Sequence, residues 1–164
     1  MSPTEQYIDV LTRLKAGELA LLRTHAGQGL DESVQGFDLF AGLWWPLRQQ
    51  KGGPPPRREV SWLIAKLYAF SPIPQSPGDT LAGQLRLCRA DQNDRLEQRF
   101  DRMLILPINR IEPALQWAIG CIASSSRKLD WVQLAKDLSM WECESTRLKW
   151  AEEFLGDNKR GQSC

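Results

Sequence analysis

Aromatic and basic side chains are interspersed near the end of this 164-residue chain. Three tryptophans, Trp131, Trp141 and Trp150, follow one another there, and several cations accompany them: Arg127, Lys128, Lys136, Arg147 and Lys149. Unpaired bases stack on aromatic rings while Arg and Lys neutralise phosphates, so this mixture suits a surface that binds single-stranded nucleic acid. The same mixture also occurs in an amphipathic helix whose rings are buried and whose lysines face water.

The spacing of the apolar residues in this segment favours the second interpretation. They recur every three or four positions, as on one face of an α-helix: Trp131, Leu134, Leu138 and Trp141. Asp130 directly precedes the first of them and suits an N-cap. We therefore predict that these rings are core and that Trp150 packs on them from the next helix. Arg127 and Lys128 remain the candidates from this region for contact with a nucleic-acid backbone.

No set of residues in the chain predicts catalysis or metal binding. His25 is the only histidine, and neither a GxxxxGK[ST] loop nor a GxGxxG motif occurs. The cysteines lack the CxxC spacing of a zinc site: Cys88, Cys121, Cys143 and Cys164. We predict that Cys88 and Cys121 are small core residues and that Cys164 is free. We expect that the protein is not an enzyme and binds neither a cofactor nor a metal. A hydrolase that uses His25 is the least favoured alternative, and it requires a pocket around that residue.

The net charge of +1 conceals an uneven distribution along the chain. Residues 1–40 carry a net charge of −3, residues 41–110 carry +5, and residues 111–164 carry −1. The strongest excess lies within 48–66, which holds five cations and a single acid: Arg48, Lys51, Arg57, Arg58, Lys66 and Glu59. A nearly neutral protein can still carry a basic stripe on its surface that follows the phosphate backbone of a bound nucleic acid. A solvated loop and helix start would have the same composition.

The elements that position these residues are helical nearly throughout. Apolar residues repeat with a helical period in each segment between loops, and no period-two alternation extends beyond four residues. Gly17 is predicted to interrupt one helix and Pro46 to end another. We predict an all-α fold of about eight helices in two small helical bundles. The proline-rich segment 71–78 is the predicted seam, which gives domains 1–74 and 75–164.

Composition and the N-terminal sequence give the expected location. Hydrophobic residues make up 42% of the chain and charged residues 25%, as in soluble globular proteins. No apolar run approaches the roughly 18 residues of a membrane span, and the start, MSPTEQYIDVL, lacks the basic region of a secretory signal. We expect a cytoplasmic protein without membrane contact.

Four segments of the chain together resemble one known family. They are LALLRTHAG near the start, LIAKLYAF in the middle, then RFDRMLIL, and finally LDWVQLAKDLSMW followed by WAEEFL. Each segment alone is a weak motif. The ordered set, above all Leu-Asp-Trp followed by a second Trp and a closing Phe-Leu, is similar to the CasB family over about residues 17–155. This family is the small subunit of the type I-E CRISPR surveillance complex called Cascade.

The resemblance implies an all-helical protein of two small bundles that is not a nuclease. It implies a scaffold subunit whose two copies pack head to tail inside Cascade, near the guide RNA (crRNA) and the target DNA. A basic surface would there help to hold the displaced strand of the R-loop during antiviral defence. The implied partners are the other Cascade subunits, a second copy of the chain, crRNA and target DNA.

The resemblance also indicates which arginines would carry this surface. Arg23, in LLRTHAG, falls where the family has a basic residue, although Thr24 stands where many members have a second one. Arg58, ahead of EVSWLIAKLYAF, and Arg99, in EQRFDRML, also match basic positions of the family; Arg102 is added because it lies one helical turn further on. We predict that the first three arginines line one face. After LDWVQLAKDLSMW some members are basic, whereas this chain reads ECESTR, which weighs against a DNA contact there.

A helical protein–protein adaptor or regulator with no nucleic-acid role is the alternative from another class. On this interpretation residues 48–66 form a solvated loop and helix start, and the partner is another protein. A gene neighbourhood with CRISPR repeats and the other Cascade genes would favour the first interpretation.

Overall fold

The computed structural model describes residues 2–48, 56–89, 94–125 and 127–156. Within these ranges lie nine α-helices and one 3-10 turn: α1 Pro3–Thr12, α2 Ala16–Arg23, the turn Leu30–Glu32, α3 Val34–Arg48, α4 Arg58–Phe70, α5 Leu81–Arg89, α6 Asp94–Leu104, α7 Glu112–Ser124, α8 Trp131–Ser139 and α9 Glu144–Leu155. No strand is formed in these ranges, apart from an isolated bridge between Gln75 and Leu129. The prediction of an all-α fold is confirmed. Lys51 and Cys164 lie outside the described residues.

Helix α4 is the centre of the fold. Every residue from Val60 to Ala69 is buried, because α2, α3, α7 and α8 all pack against this helix. A helix with apolar residues around most of its circumference requires such cover. Tyr7 of α1 adds a hydrogen bond from its hydroxyl to the Ser61 carbonyl oxygen, 2.6 Å long. Burial raises the pKa of Tyr7, so this phenol remains a neutral donor.

The buried side chains form a core cluster that extends to both sides of α4. On one side α5 and α6 pack against α7 and α9, and on the other α1 packs against α3 and α8. Contacts of α4 with α7 and α8 join helices from the two predicted domains. The division into domains 1–74 and 75–164 stays a prediction.

The tryptophan-rich segment is core, as predicted. Trp131 is fully buried, and Trp141 and Trp150 are each only 2% exposed. Trp131 donates from Nε1 to the Ile73 carbonyl oxygen at 2.7 Å and packs edge-on against Tyr68, with 5.4 Å between ring centroids. The rings of Trp141 and Trp150 also meet edge to face, at 4.9 Å. These rings are therefore not available for stacking on bases.

Asp130 caps α8, as predicted. Its carboxylate accepts hydrogen bonds from the backbone N–H of Gln133 at 3.0 Å and of Gly78 at 2.9 Å, and from the Gln75 side-chain amide at 2.9 Å. These bonds tie the segment 75–78 to the start of α8. Burial by itself raises the pKa of Asp130, but the three hydrogen bonds and the charge of Lys136 outweigh it and hold this pKa below its usual range.

We expect the contribution of Asp130 to stability to depend on pH. Because its pKa is lower in the folded chain, the contribution is complete above the unfolded pKa of about 4 and is lost as the pH falls through the folded pKa. Asp130→Ala should lower the free energy of unfolding by about 1–2 kcal/mol at pH 7, and the difference should shrink toward acid pH. Urea unfolding across this pH range measures it. Glu97→Ala, at an exposed position of α6, is the control, and a loss in Asp130→Ala that does not change with pH would contradict the expected titration.

Two predicted helix boundaries are wrong. Gly17 does not interrupt a helix but lies inside α2, and the break falls at residues 13–15. The Glu18 carboxylate accepts the N–H of Lys15 at 3.4 Å, which closes the start of a new helix at that point. Pro46 does not end α3, which continues to Arg48. A proline lacks its own N–H donor and its ring crowds the carbonyl four residues earlier, but the N–H groups of the residues after it can still donate, so the final turn can extend past it.

Candidate nucleic-acid interface

The loop 24–29, which follows α2, is held against one face of α4. Trp62 and Lys66 lie one turn apart on that face, and both donate to the carbonyl oxygen of Gln28, at 3.0 and 2.6 Å. The buried ring of His25 packs against Trp62 with 5.7 Å between centroids. Its Nδ1 lies 2.9 Å from the Gln28 side-chain oxygen. The loop is therefore fixed by both its backbone and its side chains.

A buried ion pair lies beside this loop. Lys66 Nζ and Glu112 Oε1 are 2.6 Å apart, and the two side chains are only 4% and 13% exposed. The second oxygen of Glu112 accepts the backbone N–H of Gly27 at 2.8 Å. Gly27 has a φ of 81°, in the left-handed region that glycine adopts without a steric penalty. Glu112 is also the first residue of α7, where the helix dipole favours a negative charge.

Arg23 and Arg58 are both exposed, at ends of two helices that pack together. Arg23 is the last residue of α2, two positions before His25. Arg58 is the first residue of α4 and lies one turn before Trp62 on the same face. Because the His25 ring contacts Trp62, the end of α2 approaches the part of α4 that begins at Arg58. Arg23 and Arg58 thus each lie near the contact of His25 with Trp62 along the chain.

Arg99 and Arg102 are exposed and share α6. The guanidinium carbon of Arg99 lies 5.2 Å from the centroid of the Trp117 ring on α7, within the range of a cation–π interaction. Burial raises the pKa of the Cys121 thiol, and the nearby Arg99 charge only partly opposes this effect. Cys121 is therefore not an activated thiolate.

Helix α7 contacts both the loop after Arg23 and the side chain of Arg99. Glu112 accepts a hydrogen bond from the loop that follows Arg23, whereas the ring of Trp117 contacts the Arg99 guanidinium. Five positions along an α-helix correspond to about 140° of rotation around its axis. The loop after Arg23 and the Arg99 guanidinium consequently contact different sides of α7. That Arg23, Arg58 and Arg99 line one face stays a prediction.

Arg127 and Lys128 lie between α7 and α8. Lys128 is exposed and Arg127 is half-buried. The backbone N–H of Arg127 donates to the Ile122 carbonyl oxygen at 3.1 Å, which anchors this segment to the end of α7. Its side-chain Nε is buried and finds no hydrogen-bond acceptor among the described residues.

The cation excess predicted for residues 48–66 is smaller in the structure. Lys66 is buried in its ion pair and presents no charge to solvent. The Arg57 guanidinium lies 3.2 Å from Glu142 in an exposed salt bridge. The backbone N–H of Glu142 donates to the carboxylate of the same residue. This hydrogen bond has the largest effect, and together with the hydrogen bond from Arg57 it holds the pKa of Glu142 below its usual range. Arg58, which is exposed, remains a candidate from this stretch.

The environment of His25 gives no support to a hydrolase. His25 is 8% exposed, and its ring is engaged with Trp62 and Gln28. Cys88 is buried as predicted, while Cys121 is half-buried against the core. In the ranges that the structure describes, no group of three or more His, Cys, Asp or Glu side chains is placed to hold a metal ion. Nor does any helix in those ranges combine the length and hydrophobicity needed to cross a membrane.

Sequence reasoning missed the Lys66–Glu112 pair and the contact of Arg99 with Trp117. Lys66 belongs to the predicted basic stripe, although apolar residues flank it on both sides in the segment LIAKLYAF, which was a usable signal. Nothing in the sequence indicates its partner, because Glu112 is 46 positions away. Trp117 carries no signal beyond being one more apolar residue of α7.

Several solved structures have the same fold as this chain. CasB from Thermus thermophilus is 25% identical, with a TM-score of 0.74, and the match covers 96% of this chain and 100% of that one. M. ruber CasB is 21% identical, with a TM-score of 0.75 and coverages of 99% and 97%. CasB from Thermobifida fusca is 18% identical, with a TM-score of 0.62 and coverages of 85% and 84%. The last two, at these identities, show the shared fold alone. No curated protein sequence is significantly similar to the chain.

A family match extends over most of the sequence. The family model described as CRISPR-associated protein Cse2 matches residues 18–155, a range that includes all six predicted site residues: Arg23, Arg58, Arg99, Arg102, Arg127 and Lys128. The resemblance to CasB proteins stated from four sequence segments is thereby confirmed. The chain belongs to the CRISPR-associated Cse2 family.

Proposed function

We propose that this protein is the non-catalytic small subunit of a type I-E Cascade complex. Its exposed arginines bind nucleic acid, and they stabilise the pairing of guide RNA with target DNA and the displaced strand of the R-loop in antiviral defence. Membership in the Cse2 family carries the proposal, since it supports a role as a Cascade subunit. The expected partners are the other Cascade subunits, a second copy of the chain, crRNA and target DNA, in the cytoplasm.

The exposure of the candidate arginines supports a role in backbone contact. Arg23, Arg58, Arg99 and Arg102 all keep their side chains at the surface. A guanidinium group can bond a phosphate through two parallel hydrogen bonds. Neutralising phosphates releases condensed counterions, so binding of this kind depends on salt and does not read sequence.

Modest contacts of this kind suffice for an effect on the R-loop. Forming the R-loop exchanges a DNA duplex for an RNA–DNA duplex of similar stability, so a few protein contacts can shift the balance. A subunit that supplies a few phosphate contacts has no need of a high overall positive charge. The net charge of +1 is consistent with this role.

A non-catalytic role is supported by the state of the potential nucleophiles and bases. The ring of His25 is packed against Trp62 and bonded to Gln28. Burial raises the pKa of Cys121 above its ordinary value, which disfavours the reactive thiolate. Neither group is prepared for nucleophilic or general acid–base catalysis.

Charge reversal of each arginine group tests the proposal. We expect Arg23→Glu/Arg58→Glu and Arg99→Glu/Arg102→Glu each to speed the release of target DNA from a reconstituted Cascade complex, because each removes two phosphate contacts. The slope of log affinity against log salt should become shallower by roughly 1.5 for each pair. Dissociation of labelled target DNA at several salt concentrations measures both quantities.

The control is Arg13→Glu, at an exposed arginine of the segment after α1 that pairs with Asp9; it should leave release and salt dependence unchanged. Circular dichroism establishes that each variant keeps the helical fold. Variants that enter the complex normally and retain target DNA as the parent does would refute nucleic-acid contact. The protein–protein adaptor would then be the correct function.

A further inference from the structure

Helix α2 packs against α4, but it contributes only Leu22, and in part Leu19, to the core. Of its eight residues, all within the described part of the chain, only Leu22 is fully buried. A helix this short is not stable by itself in water and depends on tertiary contacts. Arg23 is its last residue. The position of Arg23 therefore depends in part on the loop 24–29 that follows directly.

This loop is held by two charged side chains that also hold each other. Lys66 donates to the carbonyl oxygen of Gln28 at 2.6 Å, while Glu112 accepts the N–H of Gly27 at 2.8 Å. The two side chains meet at 2.6 Å. Each side chain therefore bonds one backbone group of the loop, and each neutralises the charge of the other side chain. Trp62 gives the loop a further, uncharged hydrogen bond at 3.0 Å.

Stability alone does not account for a buried ion pair at this place. Removing two charges from water is costly, and apolar residues of similar size often replace a buried pair without loss of stability. What an apolar pair cannot supply is a hydrogen bond to each of two adjacent backbone groups. The geometry is thus suited to fixing the conformation of the loop.

We propose that Lys66 and Glu112 are positioning residues for nucleic-acid binding: their ion pair fixes loop 24–29 against α4 and α7 and so holds Arg23 where it meets the phosphate backbone. This inference rests on the proposed function and assigns a role to two residues that do not themselves touch nucleic acid. The ligand class is the phosphate backbone of the strands within Cascade. If the loop is released, Arg23 is still present, but its position is no longer fixed.

The test uses Lys66→Met/Glu112→Leu, which keeps side-chain volume and removes both charges. In the full-length protein, the amide of Gly27 should exchange its hydrogen about tenfold faster or more, as expected for the loss of one or two hydrogen bonds. In reconstituted Cascade, release of target DNA should accelerate as much as it does for Arg23→Gln. Asp9→Asn/Arg13→Gln, which removes an exposed pair, is the matched control and should change neither measurement.

Combination with single arginine variants separates positioning from general damage. Adding Arg23→Gln to the double variant should cause no further acceleration, because Arg23 is already displaced. Adding Arg99→Gln should cause the same further acceleration as in the parent, because Arg99 is held by Trp117 on another side of α7. Equal further effects of Arg23→Gln and Arg99→Gln would overturn the proposal.

Two other outcomes are also decisive. If Lys66→Met/Glu112→Leu does not fold, Glu112→Gln, which keeps an acceptor for Gly27, should show an intermediate increase in exchange and release; unchanged values would overturn the proposal. If exchange accelerates in the double variant while Arg23→Gln alone leaves release unchanged, the loop is held as inferred but the contact of Arg23 with nucleic acid fails. That result overturns the positioning role and the proposed function at this residue together, whereas unchanged exchange overturns the inference alone.

Discussion

Trp131→Ala is expected to lower the free energy of unfolding by about 3–5 kcal/mol, the usual cost of truncating a fully buried large ring. Trp131 is completely inaccessible to solvent and packs edge-on against Tyr68. Its loss also leaves the Ile73 carbonyl oxygen without the indole N–H that it accepts at 2.7 Å. For a domain of this size such a loss lowers Tm by roughly 10 °C. Urea and thermal unfolding measure it.

Met140→Ala is the matched control, one residue before Trp141 in the chain. Met140 is 54% exposed, so its truncation should change the free energy of unfolding by less than about 0.5 kcal/mol. A comparably small effect of Trp131→Ala would mean that the ring is not core. It would reopen the interpretation in which the tryptophans of this segment stack on bases.

Glu112→Ala is the second variant with a large expected effect. Its loss leaves the ammonium group of Lys66 buried at 4% exposure with no opposing charge, and the N–H of Gly27 without its acceptor. Breaking a buried pair from one side costs about 3–5 kcal/mol. Lys66→Met/Glu112→Leu removes both charges and should come within about 1 kcal/mol of the parent. Urea unfolding of the two variants compares them directly.

The exposed pair of Asp9 and Arg13 calibrates this comparison. Its side chains are 36% and 77% exposed, so Asp9→Ala should cost no more than about 1 kcal/mol. If Glu112→Ala lost no more stability than Asp9→Ala, the Lys66 ammonium would have access to water, and the buried pair would not exist in solution. If the double variant lost as much as Glu112→Ala, the charges would be required for folding itself.

The helical core could be predicted from the sequence because each helix carries its own periodicity. Trp131, Leu134 and Leu138 repeat at helical spacing, and all three are buried in the structure. Asp130 could be assigned as an N-cap because capping is local, and its carboxylate does accept the N–H of Gln133. Local signals of this kind depend on a few neighbouring residues. The same locality explains why the all-α prediction is confirmed.

Long-range electrostatics could not be predicted in the same way. The charge pattern places Lys66 in a basic stripe, yet it pairs with a residue 46 positions away, and Arg57 pairs with Glu142 at a separation of 85. Counting charges along the chain cannot detect partners that only the fold brings together. For the same reason the sequence did not indicate that α7 contacts both the loop after Arg23 and the side chain of Arg99.

The candidate site was therefore predicted as a set of residues rather than as a surface. Arg23, Arg58 and Arg99 are exposed, as a phosphate-binding role requires. Their relation to one another depends on helix packing, which neither spacing nor the family resemblance supplies. Whether nucleic acid follows one continuous path or touches two separate regions is decided by the charge-reversal pairs, whose effects should add if the regions are independent.

The most direct test of the central claim is the lifetime of target DNA on Cascade assembled with and without this chain. The other Cascade subunits and crRNA from the same organism are purified with the tagged chain, or without it, and the dissociation rate of a labelled target is measured at moderate salt. We predict that the chain co-purifies with the complex and that its omission shortens the lifetime of the R-loop, with rescue when the parent chain is added back. A chain that does not join the complex, or an R-loop lifetime that is the same with and without it, would contradict the proposed function.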